Sequence, residues 1–316
     1  MVDAPILPAE PGRPDRRHGL GYAMVASAAV LFAVNGTVSK VALGSGISTL
    51  ELTQIRSTGA AAGFLAFLLL FARARLRVGR RELLFLVLFG VTGVAFVQWL
   101  YFVAIERLPV GIALLIQFIG PLFVALFARF VYREHIRRRI WVALVLCISG
   151  LAVVVEIWGG LAFDTVGITA AFAAAFALTA YILMAEHERR GRDPVSLSFY
   201  GFLFAALFWA VVQPLWRFPW DVLGDTVSLQ GNLEEHTAPV WALIAFVVLI
   251  GTMITFSLLT GSLKHISATR ASIVATLEPV IATAVAWVWL GESFGAAQIV
   301  GGAVVLAGIF FAQTAR

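Results

Sequence analysis

Charged residues are scarce in this sequence. They make up 13% of its 316 residues, whereas a soluble globular protein carries about 25%. The apolar fraction is 60%, and the mean hydropathy is +0.93. Because so few charges cannot cover the water-exposed surface of a chain this long, the composition excludes a soluble enzyme, a disordered chain and a nucleic-acid-binding domain.

Cysteine is nearly absent as well. Cys147 is the single cysteine, so no intrachain disulfide can form. No two of the five histidines share the spacing of a metal site on one helix,. No glycine-rich phosphate-binding loop follows a predicted strand either. We therefore expect no metal, no cofactor and no ATP-driven pump.

What the sequence does contain is a series of long apolar stretches. Most are close to the roughly 20 residues that cross a bilayer as a helix, and they lack the strict alternation of barrel strands. The sequence therefore predicts an all-α membrane protein with ten transmembrane helices. The predicted spans are residues 20–43, 49–71, 83–104, 108–131, 140–157, 167–186, 196–216, 240–262, 269–290 and 294–314.

The basic residues predict the orientation of these spans. With the N-terminus inside, 19 of the 23 Lys and Arg residues fall in inside segments and two fall outside. Cytoplasmic loops carry such an excess. We therefore expect a multi-pass protein of the plasma (inner) membrane with both termini in the cytoplasm. Residues 1–18, which contain four prolines, are predicted to be a disordered cytoplasmic tail rather than a signal peptide.

An internal repeat relates the two halves of the chain. Three residue types recur with spacings of 13 and 16 residues at a constant offset of 158: Pro121, Glu134 and Gly150 in the first copy, and Pro279, Glu292 and Gly308 in the second. Five predicted spans separate the copies, and an odd number reverses the topology. The pattern therefore predicts two inverted five-helix repeats, the organisation of many secondary transporters.

The repeat motif resembles the EamA domain of the drug/metabolite transporter superfamily. The second copy, LEPVIATAVAWVWLGESFGAAQIVGGAVVLAG, is the better match, since the first has Arg133 where the pattern favours glycine. The segment ERLPVGIALLIQFIGPLFVALF is similar to threonine/homoserine exporters of that superfamily. The resemblance implies EamA-like repeats over residues 19–158 and 165–316. It also implies a central cavity lined by spans one, three, four, six, eight and nine.

One acidic residue, Glu278, is predicted to lie near the middle of the ninth span. It comes about eight residues into that span, roughly 12 Å from the inner end at 1.5 Å per residue,. The following Pro279 leaves the carbonyl of Ala275 without its helical donor, so we expect a kink or gating point there, and also at Pro121. Glu278 is predicted either to bind a cation or proton or to hydrogen-bond a neighbouring helix.

Two basic residues lie within predicted spans. Arg56 shares a helix face with Gly59 and Gly63, a spacing typical of close helix packing. It is predicted either to bind a substrate carboxylate, with Glu51 in support, or to form a structural pair or extend to the membrane surface. Lys40, near the outer end of the first span, either extends to the surface in the same way or forms an anion-attracting entrance with Arg56.

Uncharged polar and aromatic residues complete the candidate site. Each polar side chain is predicted either to bind substrate or to join two helices, and each aromatic one either to line a pocket or to lie in the interfacial belt or an inner gate. The polar candidates are Asn35, Gln98 and Gln117, and the aromatic candidates are Trp99, Tyr101 and Tyr181.

These features favour a secondary active transporter over an enzyme. We expect alternating access for a small metabolite, most simply the export of an amino acid or related compound, with protons as a candidate coupling ion. The alternative is an integral membrane enzyme or a channel without a recognisable catalytic motif. The expected partners are the substrate and the lipid bilayer, with no nucleic acid, and the expected assembly is a monomer or homodimer.

Overall fold

The computed structural model describes residues 16–120, 123, 138–154, 164–188, 193–262, 265, 266, 271, 274, 275 and 277–314. Over these residues the chain is nearly all helical. The helices are α1 (Arg16–Leu43), α2 (Thr49–Phe71), α3 (80–107), α4 (Val110–Gln117), α5 (Arg138–Val154), α6 (Thr165–Glu188), α7 (Pro194–Val212), α8 (Val240–Ser262), α9 (Leu277–Leu290) and α10 (Ala296–Thr314).

The long helices coincide with predicted spans. Within the described residues, six helices are long and apolar enough to cross a membrane: His18–Leu43, Thr49–Phe71, Glu82–Arg107, Thr165–Ala185, Val195–Val212 and Val240–Ser262. Shorter apolar helices occupy Trp141–Val154, Leu277–Leu290 and Ala296–Phe311. The protein is therefore a multi-pass helical membrane protein. Much of the predicted fourth span lies outside the described residues, including Pro121, and Glu134 lies outside them too.

Two helices contain a π-helical segment, in which the helix is wider than an α-helix. The first is Phe89–Ala95 within α3 and the second is Phe246–Ile254 within α8. Their first residues are 157 positions apart and their last residues 159, close to the offset of the sequence repeat. In α8 the hydroxyl of Thr252 donates to the carbonyl of Val247, five residues earlier. Such segments are rare and often mark functional sites.

The π segment of α8 packs against helices from the first half of the chain. Both α1 and α2 contact it, and α1 also packs against α9. The segment of α3 packs against α6 and α7. Each π segment therefore contacts helices other than the one that contains it.

The two ends of the bundle differ in their covering. The end that holds Lys40 and the end of α9, here called the Lys40 end, carries an antiparallel hairpin of β1 (Thr226–Ser228) and β2 (Thr237–Pro239). The Trp289 indole N–H donates to the Leu229 carbonyl at 2.8 Å, which fastens the hairpin to α9. The opposite end holds an ion pair between Arg75 and Asp193.

Candidate functional site

Arg56 is a buried cation held by helices from both halves of the chain. Its side chain projects from α2 and is 4% exposed. Its Nε donates to the Thr252 hydroxyl in the π segment of α8 at 2.7 Å. Its guanidinium carbon lies 5.4 Å from the ring centroid of Phe102 on α3, within the range of a cation–π contact. Three helices therefore hold Arg56 in place.

Arg56 forms no ion pair with any carboxylate among the described residues. The predicted support from Glu51 is wrong, because Glu51 instead accepts from the backbone N–H of Ser48, which caps α2, and from the Gln213 amide. A buried charge without a counter-ion is expensive. A guanidinium in this state is suited to binding an anionic group that comes from outside the protein.

Buried polar groups without partners accompany Arg56. Asn35 on α1 is 2% exposed, and its side-chain oxygen accepts no hydrogen bond from the described residues. It lies against Gly251, where an added Cβ would overlap the Asn35 side chain, so only glycine fits beside it. Since Gly251 precedes Thr252, Asn35 and Arg56 contact adjacent residues of one π segment.

Gln98 lies on α3 one turn before Phe102. Its side-chain nitrogen donates to the Val94 carbonyl in the π segment of α3, while its oxygen has no partner among the described residues. Buried polar atoms are nearly always hydrogen-bonded. We call Asn35, Arg56, Gln98 and Thr252 the central polar cluster, and the side-chain oxygens of Asn35 and Gln98 in it have no partner among the described residues.

Tyr101 connects this region to α1. It is 8% exposed, and a Cβ at Gly36 would lie 2.5 Å from its hydroxyl oxygen, so α1 approaches it closely. The charges of Glu278, Arg56 and Glu292 all act on Tyr101. Tyr101 therefore lies within electrostatic range of a cation and of two carboxylates.

Glu278 and Pro279 lie in the first turn of the described part of α9. Glu278 is half-buried and Pro279 is buried. No ion pair of Glu278 occurs among the described residues. Ala275 is described as helical, but the residue that follows it lies outside the description, so the predicted kink at Pro279 stays a prediction.

Lys40 differs from Arg56 in being fully paired. Its ammonium lies 2.7 Å from a carboxylate oxygen of Glu292 and donates to the Leu108 carbonyl at 3.0 Å. The other Glu292 oxygen accepts from the Val110 backbone N–H at 3.2 Å. Glu292 marks the sequence repeat, but its contact with Lys40 spans 252 residues and no local pattern indicates it.

The other predicted residues are more dispersed. Trp99 packs against Trp209 of α7, with ring centroids 5.7 Å apart. Tyr181 stacks on Phe89 at 5.1 Å, beside the π segment of α3. Gln117 is buried as the last residue of α4, and Pro121 lies outside the described residues.

Thr252 is a site residue that sequence reasoning missed. The local signal is its position beside Gly251 in the middle of an apolar span. Gly251 is the counterpart of Gly93 in α3 at the repeat offset of 158, but Val94 stands where the second copy has Thr252.

Comparison with known proteins places this architecture in a family. The EamA-like transporter family matches residues 19–156 and again residues 165–314. The chain belongs to the EamA-like transporter family. It is therefore a member of the drug/metabolite transporter superfamily, with a small-molecule substrate and a membrane location, and it is not an enzyme.

Relatives of this EamA-like transporter carry transporter names. An uncharacterised transporter of Archaeoglobus fulgidus is 27% identical over 294 residues, which are 92% of this chain and 96% of that protein. The threonine/homoserine exporter RhtA of Escherichia coli K12 is 26% identical over 81% of this chain and 80% of its own length. The pseudopaline exporter CntI of Pseudomonas aeruginosa is 25% identical over 88% and 92%.

A solved crystal structure has the same fold. The two structures superpose over 92% of this EamA-like transporter and 96% of the other chain, with a TM-score of 0.61 and 19% sequence identity. At this identity the likeness concerns the fold alone.

Proposed function

We propose that this protein is a secondary active transporter that exports an amino acid or a related small metabolite by alternating access. RhtA and CntI, which resemble it over most of its length, are both named exporters. Threonine and homoserine are amino acids that carry a carboxylate, the group for which a buried guanidinium is suited. The energy source is a proton gradient or the gradient of the substrate itself.

The finer architecture is part of this proposal. The chain has ten transmembrane helices in two inverted EamA-like repeats, residues 19–158 and 165–316, after a cytoplasmic tail. The double match to one family and the matching positions of the two π segments support it. The charge distribution supports a plasma-membrane location with both termini in the cytoplasm. The protein works as a monomer or homodimer.

One observation carries the substrate site: Arg56 is buried and lacks a carboxylate partner among the described residues. Its Nε is occupied by Thr252, so its remaining nitrogens bind the substrate carboxylate. Asn35 and Gln98 supply hydrogen bonds, and Tyr101 closes the site from α3. This arrangement gives the side-chain oxygens of Asn35 and Gln98, which have no partner among the described residues, a role in binding.

Glu278 supplies the opposite charge. It lies on α9, and its charge acts on Tyr101, as does that of Arg56. A carboxylate there binds either the ammonium group of an amino acid or a coupling proton. Gln117, Trp99 and Tyr181 have supporting roles in this proposal, while Pro121 and Pro279 allow the helices to bend.

Transport by reconstituted protein tests the proposal. Proteoliposomes are loaded with a panel of amino acids and, for each, the amide and the decarboxylated amine. We expect flux of amino acids but not of the two analogues. We expect Arg56→Gln to reduce the flux on the order of 100-fold, because a buried charge-assisted contact is lost.

Arg107→Gln is the matched control. Arg107 lies at the Lys40 end, and its side chain is 43% exposed and 3.9 Å from Asp164. This variant should transport like the wild type. Equal flux of amino acids and decarboxylated amines, or undiminished flux in Arg56→Gln, would show that the carboxylate site is wrong.

A further inference from the structure

A single carboxylate joins three segments at the Lys40 end. Glu292 follows α9 and accepts from Lys40 near the end of α1 and from the Val110 N–H at the start of α4. Lys40 in turn donates to the Leu108 carbonyl just after α3. The contacts connect residues 182 and 252 positions apart, so they fasten the second half of the chain to the first.

The ion pair is largely shielded from solvent. The Lys40 side chain is 24% exposed and that of Glu292 is 12% exposed. The other described pair at this end, Arg107 with Asp164, is longer at 3.9 Å and more than 40% exposed on both sides. Because screening by water weakens exposed pairs, the Lys40–Glu292 pair is the stronger connection.

The pair lies at the Lys40 end, about one and a half helical turns along α1 from Asn35 of the central polar cluster,. Lys40 comes one helical turn after Gly36 on α1, and Gly36 adjoins the Tyr101 hydroxyl. Beyond the pair, the hairpin loop covers the helix ends: Asn232 donates to the Val288 carbonyl of α9 at 3.1 Å. A molecule that leaves the cluster in this direction has to pass the segments that Glu292 joins.

We propose that Lys40 and Glu292 form the gate at this end of the transporter. The proposal rests on the alternating-access function above. In the present conformation the gate is closed, with Glu292 bonded to Lys40 and Val110. To release substrate at the Lys40 end, α1 and the start of α4 must separate from the end of α9, which breaks these contacts. Both residues act by positioning helices and do not bind the substrate.

Hydrogen exchange at the gate tests this without a substrate. The full-length protein in lipid nanodiscs is compared with Glu292→Gln and Lys40→Met by mass spectrometry. We expect amides at the end of α1 and at the start of α4, including Val110, to exchange about tenfold faster in both variants, the effect of losing one charge-assisted contact. Peptides around Arg75 at the opposite end should be unchanged.

Two further variants separate gating from general damage. Glu235→Gln removes an exposed carboxylate of the hairpin loop at the same end and should exchange like the wild type. The exchanged pair Lys40→Glu with Glu292→Lys restores opposite charges and should recover most of the protection at the end of α1, but not at Val110, because a lysine cannot accept its N–H,. If exchange at Val110 is unchanged in both single variants, the gate is absent. If peptides around Arg75 also exchange faster and the exchanged pair recovers no protection at the end of α1, the substitutions loosen the whole protein. That result also overturns the gate.

Transport distinguishes this proposal from the function on which it rests. We expect Glu292→Gln to keep substrate binding, measured as a ligand-induced thermal shift, while its export turnover falls several-fold. If the wild type moves no substrate but the exchange results hold, the transport function fails and the ion pair still closes this end. If the wild type transports and neither exchange nor turnover changes in Glu292→Gln, the gate alone fails.

Discussion

Arg56 and Lys40 are the two basic residues that belong to neither the inside nor the outside segments, and their partners in the structure differ. Lys40 meets a carboxylate at 2.7 Å and a carbonyl at 3.0 Å. Arg56 is more deeply buried, and the described residues offer it a threonine hydroxyl and an aromatic ring. A cation that the protein already neutralises is suited to holding helices together, whereas one that it leaves unpaired is suited to binding an anion.

The two regions also differ in how their charged side chains are bonded. Asn35 lies against Gly251, next to Thr252, and Gln98 lies one turn before Phe102; each has a side-chain oxygen without a donor among the described residues. Lys40 and Glu292 are bonded to each other, to Leu108 and to Val110, although the hydroxyls of Thr37 and Ser39 beside Lys40 have no partner among the described residues. The contrast between the two regions therefore concerns the charged side chains and not every polar group around them.

The largest expected effect comes from giving Arg56 a partner of its own, as Lys40 has. Thr252→Asp places a carboxylate where the Thr252 hydroxyl now accepts from Arg56 Nε. We expect amino-acid flux to fall on the order of 100-fold, because the internal carboxylate competes with that of the substrate. The melting temperature should hold or rise, since the buried charge gains a counter-ion.

Thr252→Ser serves as the control for this prediction, because it keeps the hydroxyl and should retain most of the flux. Normal flux in Thr252→Asp, in protein that melts like the wild type, would mean that Arg56 does not need to be free of an internal partner. The contrast between Arg56 and Lys40 would then have no functional meaning.

A second prediction concerns Glu278, an acidic residue that, like Arg56, has no ion pair among the described residues. Glu278→Gln cannot lose or gain a proton, so we expect substrate-linked proton movement to disappear, while substrate exchange without a gradient falls only several-fold. A pH-sensitive dye inside proteoliposomes measures the proton movement, and labelled substrate measures the exchange. Unchanged proton movement in this variant would show that Glu278 does not couple protons to transport. Glu235→Gln, which removes a carboxylate elsewhere, is the control and should leave proton movement unchanged.

Much of the fold could be predicted from the sequence, because a membrane imposes a simple length and polarity rule on each helix. The predicted spans 49–71 and 240–262 agree with α2 and α8 residue for residue. The π segments were not predicted, since a single widened turn leaves hydrophobicity unchanged. Their positions are 157 to 159 residues apart. This separation indicates that they correspond to each other only when it is compared with the 158-residue offset of the sequence repeat.

The candidate residues can be picked out of the sequence, but their contacts cannot. Arg56, Asn35, Gln98 and Tyr101 stand out as polar or aromatic residues in apolar stretches. The contact between Arg56 and Thr252 spans 196 residues, and no local pattern encodes it. Glu51 illustrates the limit: proximity in sequence suggested a partner for Arg56, yet the N-cap of α2 uses that carboxylate.

Substrate binding to purified protein tests the central claim most directly. The ligand-induced thermal shift is measured for one transported amino acid and its decarboxylated amine, with wild type, Arg56→Lys and Arg56→Gln. We predict a shift for the amino acid alone, reduced in Arg56→Lys because a lysine lacks the bidentate geometry, and absent in Arg56→Gln, with Arg107→Gln behaving as wild type. An equal shift with the amine, or an undiminished shift in Arg56→Gln, would contradict the account.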